Sequence, residues 1–201
     1  MLIYIHGFNS SPESFKASLL RKYVASMGLG DTFLVPELSS IPSLAILQLE
    51  NLVQENTLKA EAMNSSVCLI GSSLGGYYAT WLAEKYGCRA VLVNPAVRPF
   101  ELFEDFLGVN RNIHTGEEYE LTTDHLQQLG ALNVNHITHP DRYLLMLQTG
   151  DDILDYKIAI EKYAAVPSIV EEGGGHEFMG FDRHLETVLA FCGVNCLKSY
   201  S

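Results

Sequence analysis

The residues best suited to chemistry lie in a short glycine-rich stretch with the sequence LIGSSLGGYY. Within it, Gly71, Ser73 and Gly75 form the pattern G-x-S-x-G between an apolar run and a run of helical character. A strand that reverses sharply into a helix leaves no room for side chains beside its middle residue, so glycine is needed on both sides. The pattern predicts that the Ser73 hydroxyl projects above the end of a strand as a nucleophile. Ser72 does not fit, because Ile70 stands where the pattern requires glycine.

A phosphate-binding loop is the competing interpretation of these glycines. The stretch lacks the GK[ST] ending of such loops, and the chain contains no G-x-G-x-x-G. Serine-based chemistry is therefore favoured over nucleotide binding.

A serine hydroxyl is a poor nucleophile at neutral pH unless a base accepts its proton and a third group orients that base. In the α/β-hydrolase order an acid follows a later strand and a histidine follows the last strand. His176 follows a glycine run after the last apolar strand, and Asp151, Asp152 and Asp155 follow the strand before it. Asp151 is favoured as the acid, because DDILD places it first in the turn that many hydrolases have there. Asp155 is predicted to cap the next helix.

An HG pair follows the first strand, where hydrolases commonly have a turn that helps to form an oxyanion hole. We therefore predict that the backbone N–H groups of Phe8 and Leu74 face the developing negative charge. The imidazole of His6 is predicted to be structural and to bond nearby backbone.

The remaining histidines are predicted to be surface or cap residues. These are His114, His125, His136, His139 and His184. The stretch HITH has no third metal ligand beside it, so no metal or cofactor is expected.

Apolar runs alternate with amphipathic runs along the chain, which favours an α/β fold. Each predicted strand is a continuous apolar run, as expected for parallel strands covered by helices on both faces. The predicted strands are residues 2–5, 32–35, 67–70, 90–93, 143–147 and 168–170. The first helix is predicted to have Ser11 as its cap and Pro12 in its first turn, and to bury a stripe at every fourth residue. That stripe is Phe15, Leu19, Tyr23 and Met27.

The length of 201 residues predicts a single domain over residues 1–201. The alternation breaks at about residues 98–142, which we interpret as a small cap-like insertion. Its aromatic residues are candidates to line an acyl pocket or to pack beneath a loop. They are Phe100, Phe103, Phe106 and Tyr119.

Composition limits the partners of the chain. The net charge of −11 disfavours nucleic acid and anionic membrane surfaces, which are bound through Lys and Arg. No stretch approaches the roughly 18 consecutive apolar residues that span a bilayer, and no leader-like start is present, so a cytoplasmic protein is expected. The cysteines show neither a CxxC pair nor regular spacing, so reduced thiols are expected, with Cys68 and Cys192 buried.

The chain resembles the YqiA-type bacterial esterases of the α/β-hydrolase superfamily. The resemblance runs from Leu2 to about Gly193 and is carried by YIHGFNSSPES, GSSLGGYYATWLAEKYG, VNPAVRPFEL, QTGDDILDY and EGGGHEFMGF. It implies a cytoplasmic serine esterase that hydrolyses short-chain carboxylic esters through an acyl-enzyme, with some activity on acyl-CoA thioesters. By that similarity the nucleophile, acid and base fall on Ser73, Asp151 and His176.

The implied fold is a minimal, three-layer α/β-hydrolase. Because the first strand already ends in the HG turn, the first two strands of larger members are missing and about six remain in a mostly parallel sheet. The alternatives are an acyl-CoA or acyl-carrier thioesterase and a hydrolase-fold protein that binds without turnover. The expected partner is a small ester or acyl thioester, and the sequence leaves the oligomeric state open.

Overall fold

The computed structural model describes residues 1–112 and 114–194. Its strands are β1 (Leu2–Ile5), β2 (Phe33–Leu34), β3 (Cys68–Ser72), β4 (Arg89–Val93), β5 (Gly108–Arg111), β6 (Glu118–Leu121), β7 (Tyr143–Gln148) and β8 (Ser168–Glu171). The main sheet has six strands in the order β2-β1-β3-β4-β7-β8, and every neighbouring pair is parallel. The predicted parallel sheet is confirmed.

Helices cover both faces of this sheet. They are α1 (Phe15–Ser26), α2 (Pro42–Ala62), α3 (Leu74–Tyr86), α4 (Pro99–Leu102), α5 (Thr123–Ala131), α6 (Tyr156–Lys162) and α7 (Leu185–Phe191). Side chains of β1 alternate between the faces, as the two-residue period of a strand requires. Leu2 and Tyr4 join the core formed with α1 and α7, whereas Ile3 and Ile5 join the core formed with α2 and α3. The result is the predicted three-layer arrangement.

The segment 98–142 carries α4, a separate antiparallel hairpin of β5 and β6, and α5. Two hydrogen bonds tie this segment to the loop after β1. The Tyr119 hydroxyl donates to Asn9 Oδ1 at 2.7 Å, and the Asn112 side chain donates to the Ser10 carbonyl at 3.0 Å. The segment therefore lies over the strand ends at which the candidate site residues stand.

Helix α1 begins later than predicted. Ser11 does not cap it; its hydroxyl instead accepts the N–H of Glu13, and the helix starts at Phe15. The expected buried stripe is wrong at Phe15, whose side chain is 61% exposed. The other three residues of the stripe are partly buried and pack against the core formed with α1, while a neighbouring row is fully buried. The buried residues are Lys16, Ala17, Leu20 and Val24.

The structure also corrects the expectation that all thiols are reduced. Cys68 in β3 and Cys192 after α7 are both buried, as predicted, but they form a disulfide. Their separation of 124 residues gave no signal in the sequence, because the pairing depends on α7 packing against the centre of the sheet. Cys88 is a buried free thiol, and Cys196 lies outside the described residues.

Among the described residues, no helix combines the length and the apolar character that a bilayer crossing demands.

Candidate active site

The turn between β3 and α3 holds Ser73 in a conformation that few side chains adopt, with φ of 55° and ψ of −123°. Both flanking glycines are required by close backbone contacts. A Cβ on Gly71 would lie 2.7 Å from the Gly76 Cα, and a Cβ on Gly75 would lie 2.7 Å from the His6 carbonyl oxygen. The G-x-S-x-G pattern thus corresponds to a turn packed against β1, with the Ser73 side chain at the carboxyl end of the sheet.

Three side chains that are far apart in sequence meet at this turn. His176 Nε2 lies 3.1 Å from Ser73 Oγ, and His176 Nδ1 lies 2.9 Å from Asp151 Oδ2. Asp151 follows β7 and His176 follows β8, so each residue stands at the carboxyl end of a parallel strand, where such sheets place their sites. The order of contacts runs from hydroxyl to imidazole to carboxylate.

Asp151 is held as a carboxylate. Its burial by itself raises the pKa, but the hydrogen bond from His176 and those from the backbone N–H groups of Leu154 and Ile153 outweigh burial, so that the pKa lies below its usual value. A carboxylate only accepts hydrogen bonds, so Nδ1 of a neutral His176 carries the proton and donates it. Nε2 is then the acceptor, and the Ser73 hydroxyl donates to it.

The other two carboxylates of DDILD lie apart from the imidazole. Asp155 caps α6 by accepting the N–H of Lys157 at 3.0 Å, as its position predicts. Asp152 is exposed. Of the three, only Asp151 contacts His176 in the part of the chain that the structure describes.

Two backbone N–H groups beside Ser73 have no acceptor among the described residues. These belong to Leu74, the first residue of α3, and to Phe8 in the loop after β1. The first N–H groups of a helix have no intrahelical partner and attract negative charge. The His6 ring is buried, which lowers its pKa, and its Nδ1 donates to the Gly7 carbonyl at 3.0 Å. His6 thus bonds the backbone of the loop that presents Phe8.

Sequence reasoning missed the residues that hold the His176 loop. Asn94, directly after β4, donates from Nδ2 to the carbonyls of Gly175 and His176, each at 3.1 Å. Gln148, at the end of β7, accepts the N–H groups of Gly175 and Met179 through Oε1. The Asn94 Oδ1 accepts the Gln148 backbone N–H at 3.0 Å, so the two amides form one network. Their only sequence signal is a polar residue at the end of an apolar strand.

Glu171 at the end of β8 holds the other side of Gln148. Its carboxylate accepts hydrogen bonds from Gln148, His184 and Arg183, which lower its pKa to about 2. Because an ionised Glu171 fixes the Nε2 end of the Gln148 amide, the Oε1 end faces the His176 loop. The orientation of that amide follows from the charge beside it.

Two pockets open beside Ser73. The cap pocket, of about 540 Å³ and partly open to solvent, is lined by Phe8, Leu74, Tyr78, Phe103, Tyr119 and Leu129 among others. Of the predicted aromatic residues, Phe103 and Tyr119 line this pocket. Phe106 packs edge-on against Phe8 and Phe103, and Phe100 packs against the core.

The Lys16 pocket, of about 450 Å³, adjoins the cap pocket, with which it shares Gly7, Phe8 and Ser10. Polar groups form most of its wall, and it is the pocket that Ser73 and His176 line. Its main residues are Tyr4, Ser10, Ser14, Lys16, Ser72 and Glu177. No group of three His, Cys, Asp or Glu side chains that could hold a metal ion occurs in residues 1–112 and 114–194.

The sheet order, the sharp turn at Ser73 and the placement of Asp151 and His176 at strand ends define an α/β-hydrolase fold. Solved structures agree. A putative hydrolase from Agrobacterium vitis superimposes with a TM-score of 0.73 at 18% identity, over 95% of this chain and 87% of that chain. Est1E from Butyrivibrio proteoclasticus, solved with ferulic acid bound, gives 0.67 at 13% identity, over 94% and 86%.

Residues 1–193 match the profile of an uncharacterised protein family, UPF0227. The chain belongs to this family. A UPF0227 protein from Serratia proteamaculans is 26% identical over 194 residues, which is 95% of this chain and 98% of that protein. The resemblance to YqiA-type proteins over nearly the whole chain is thereby confirmed.

Proposed function

We propose that this protein is a serine esterase that cleaves short-chain carboxylic esters through an acyl-enzyme. The observation that carries the proposal is the hydrogen-bonded series from Ser73 Oγ through His176 to the Asp151 carboxylate. A neutral imidazole whose Nε2 accepts the serine proton is the base that a serine nucleophile needs. Est1E, which shares the fold, binds ferulic acid, a carboxylic acid of the kind that ester hydrolysis releases, and this is in line with the proposal.

In the first step Ser73 Oγ bonds to the ester carbonyl carbon while its proton passes to His176 Nε2. The carbonyl oxygen gains the negative charge and accepts hydrogen bonds from the N–H groups of Phe8 and Leu74. The tetrahedral intermediate then expels the alcohol, which takes the proton from Nε2. Water, deprotonated by the same nitrogen, releases the acyl group in a second cycle. Asp151 keeps its negative charge and stabilises the imidazolium throughout.

The segment 98–142 acts in this proposal as a cap over the acyl group. The cap pocket is lined by Phe8 and Leu74, whose N–H groups face the oxyanion, and its far wall includes Leu121 and Leu129. An acyl chain entering beside the oxyanion therefore meets apolar and aromatic side chains. The limited volume of the pocket, about 540 Å³, favours short chains.

Labelling with a fluorophosphonate tests the nucleophile. We expect the wild-type protein to be labelled and to hydrolyse phenyl acetate, and Ser73→Ala to lose both activities. Ser65→Ala is the matched control, because Ser65 is exposed and precedes β3 at the opposite end of that strand. Equal labelling of the Ser73→Ala and wild-type proteins would refute the assignment of Ser73.

Matched oxygen and sulfur esters of one acyl group separate an esterase from a thioesterase by their kcat/KM values. An esterase gives the larger value on the oxygen ester. A protein that only binds its ligand gives neither steady turnover nor a burst of acylation with an activated ester.

A further inference from the structure

Lys16 places a buried positive charge beside the proposed nucleophile. Its side chain belongs to α1 and is 6% exposed, although lysine is among the residues that are most rarely buried. The ammonium group donates to the Glu177 carbonyl oxygen at 2.9 Å. This is the only hydrogen bond of the ammonium group within the described part of the chain, and no carboxylate there forms an ion pair with it.

An ammonium group has three N–H donors, and burial without partners is costly for a charge. Lys16 lines the Lys16 pocket together with Ser10, whose side chain is partly exposed, whereas the Ser14 hydroxyl oxygen is buried behind the wall. A cation and a hydroxyl donor that converge in one cavity are the groups that bind a compact anion. The carboxylates of Glu177 and Asp151 act on Lys16 through space without forming an ion pair with it. Beyond these two, the net charge of −11 opposes anion binding only weakly, because salt screens charges beyond about 8 to 10 Å.

The Lys16 pocket lies on the side of the site where a leaving group departs. The imidazole must return its proton to the departing oxygen, so that oxygen has to lie close to His176 Nε2. Ser73 and His176 line the Lys16 pocket and do not line the cap pocket. The acyl chain and the leaving group are thereby assigned to different pockets.

We propose that Lys16 makes the enzyme selective for esters whose leaving group carries a compact anion, either a carboxylate or a phosphate. The anion accepts hydrogen bonds from Lys16 Nζ and from the Ser10 hydroxyl. Glu177 contributes its backbone carbonyl to hold Lys16, while its own side chain is exposed to solvent. The inference rests on the proposed esterase function and specifies the substrate of the same site.

Acetate esters of equal acyl size test this selectivity. The neutral probes are phenyl acetate and methyl 3-acetoxybenzoate; the anionic probes are 3-acetoxybenzoate and 3-acetoxyphenyl phosphate; the cationic probe is 3-acetoxyphenyl-trimethylammonium. We expect kcat/KM for at least one anionic probe to exceed that for methyl 3-acetoxybenzoate by about tenfold, which corresponds to about 1.4 kcal/mol. The larger of the two anionic values identifies the anion. Equal values for all probes, or a preference for the cationic probe, overturn the proposal.

Variants of Lys16 assign the preference to its charge. We expect Lys16→Met to reduce the ratio of anionic to neutral kcat/KM to about one, and Lys16→Arg to keep most of that ratio. Lys22→Met is the matched control, because Lys22 is exposed on the same helix. A ratio that is unchanged in Lys16→Met overturns the proposal.

Product inhibition of the wild-type protein gives a test that needs no variant. We expect 3-hydroxybenzoate to inhibit more strongly than the neutral 3-hydroxybenzamide, and equal inhibition contradicts the anion site.

Failure of the anion site can be distinguished from failure of the proposed esterase function. If the protein hydrolyses none of the esters, the esterase assignment fails, whereas hydrolysis of all the esters without charge preference removes only the role of Lys16.

Discussion

The reactivity proposed for Ser73 depends on a backbone conformation that costs of order 1 to 3 kcal/mol for a residue other than glycine. The surrounding chain holds that conformation. The Ser73 N–H donates to the Val93 carbonyl, and its own carbonyl accepts the N–H of Ala96. These bonds connect the turn to β4 and to the chain after it, so the hydroxyl is fixed by main-chain contacts on both sides.

An exchange at Asp151 tests whether this residue is the acid. In Asp151→Asn the amide group donates to Nδ1, which moves the imidazole proton to Nε2 and removes the acceptor for the Ser73 hydroxyl. We expect kcat/KM on phenyl acetate to fall about 10³- to 10⁴-fold, as for other triads that lose the acid. Steady-state kinetics at neutral pH measure the loss.

Asp152→Asn is the matched control, because it makes the same chemical change at the adjacent, exposed position. We expect this variant to stay within about twofold of the wild-type kcat/KM, since surface changes of this kind have small effects. If Asp152→Asn loses the activity and Asp151→Asn keeps it, the acid has been assigned to the wrong residue.

The candidate site depends on four parallel strands whose carboxyl ends lie side by side. β3 supplies Ser73, β7 supplies Asp151 and β8 supplies His176, while β4 ends at Asn94, which holds the histidine loop. The His176 loop is also anchored by the buried Phe178 side chain and by the hydrogen bond from Lys16 to the Glu177 carbonyl, but the amide groups of Asn94 and Gln148 hold the backbone on both sides of His176. We therefore propose that Asn94 and Gln148 are positioning residues, which act through His176 and do not touch the substrate.

The backbone of Asn94 offers a clean test of this role. Its φ of 40° lies in the left-handed region, so glycine fits there without strain and removes only the side chain. We expect Asn94→Gly to lower kcat by about 10- to 100-fold, because small displacements of a catalytic group are costly, and to change KM little. A merely structural role would lower the stability and leave kcat of the folded enzyme unchanged.

Asn64→Gly controls for the exchange of asparagine by glycine, since Asn64 also has a left-handed φ, of 51°, but is exposed after α2. We expect its kcat and KM to match those of the wild type. A kcat for Asn94→Gly equal to that of Asn64→Gly would show that the amide network does not position His176.

The parallel sheet could be predicted because each buried strand is a continuous apolar run. Ser73 could be picked out because the turn requires glycine two residues before it and two residues after it. The roles of Asn94 and Gln148 could not be predicted, because no sequence spacing distinguishes an amide side chain that binds a distant loop from one that faces water. The burial of Lys16 could not be predicted for a different reason. Lysine in an amphipathic helix is assigned to the solvent side, but Lys16 lies on the buried row of α1 with Ala17, Leu20 and Val24. Long-range contacts, which set these positions, leave no local pattern.

At the scale of the whole molecule, the disulfide joins the strand that leads to Ser73 with the end of α7, which follows the His176 loop. It spans 124 residues of sequence. In the chain-entropy model, closing a loop of this length stabilises the folded state by about 4 to 5 kcal/mol, because it restricts the unfolded chain. The disulfide is therefore expected to raise the free energy of unfolding of the domain that holds both parts of the site.

Thiol titration in denaturant tests this pairing. In protein purified and unfolded without reductant, we expect two of the four cysteines to react with a thiol reagent, and all four to react after reduction. Reduction is also expected to lower the thermal midpoint, because the unfolded state gains entropy. Cys88→Ser is the matched control: it removes a buried free thiol, so one reactive cysteine remains before reduction. Four reactive thiols in the unreduced wild-type protein would show that Cys68 and Cys192 pack as buried thiols in solution, as the sequence predicts.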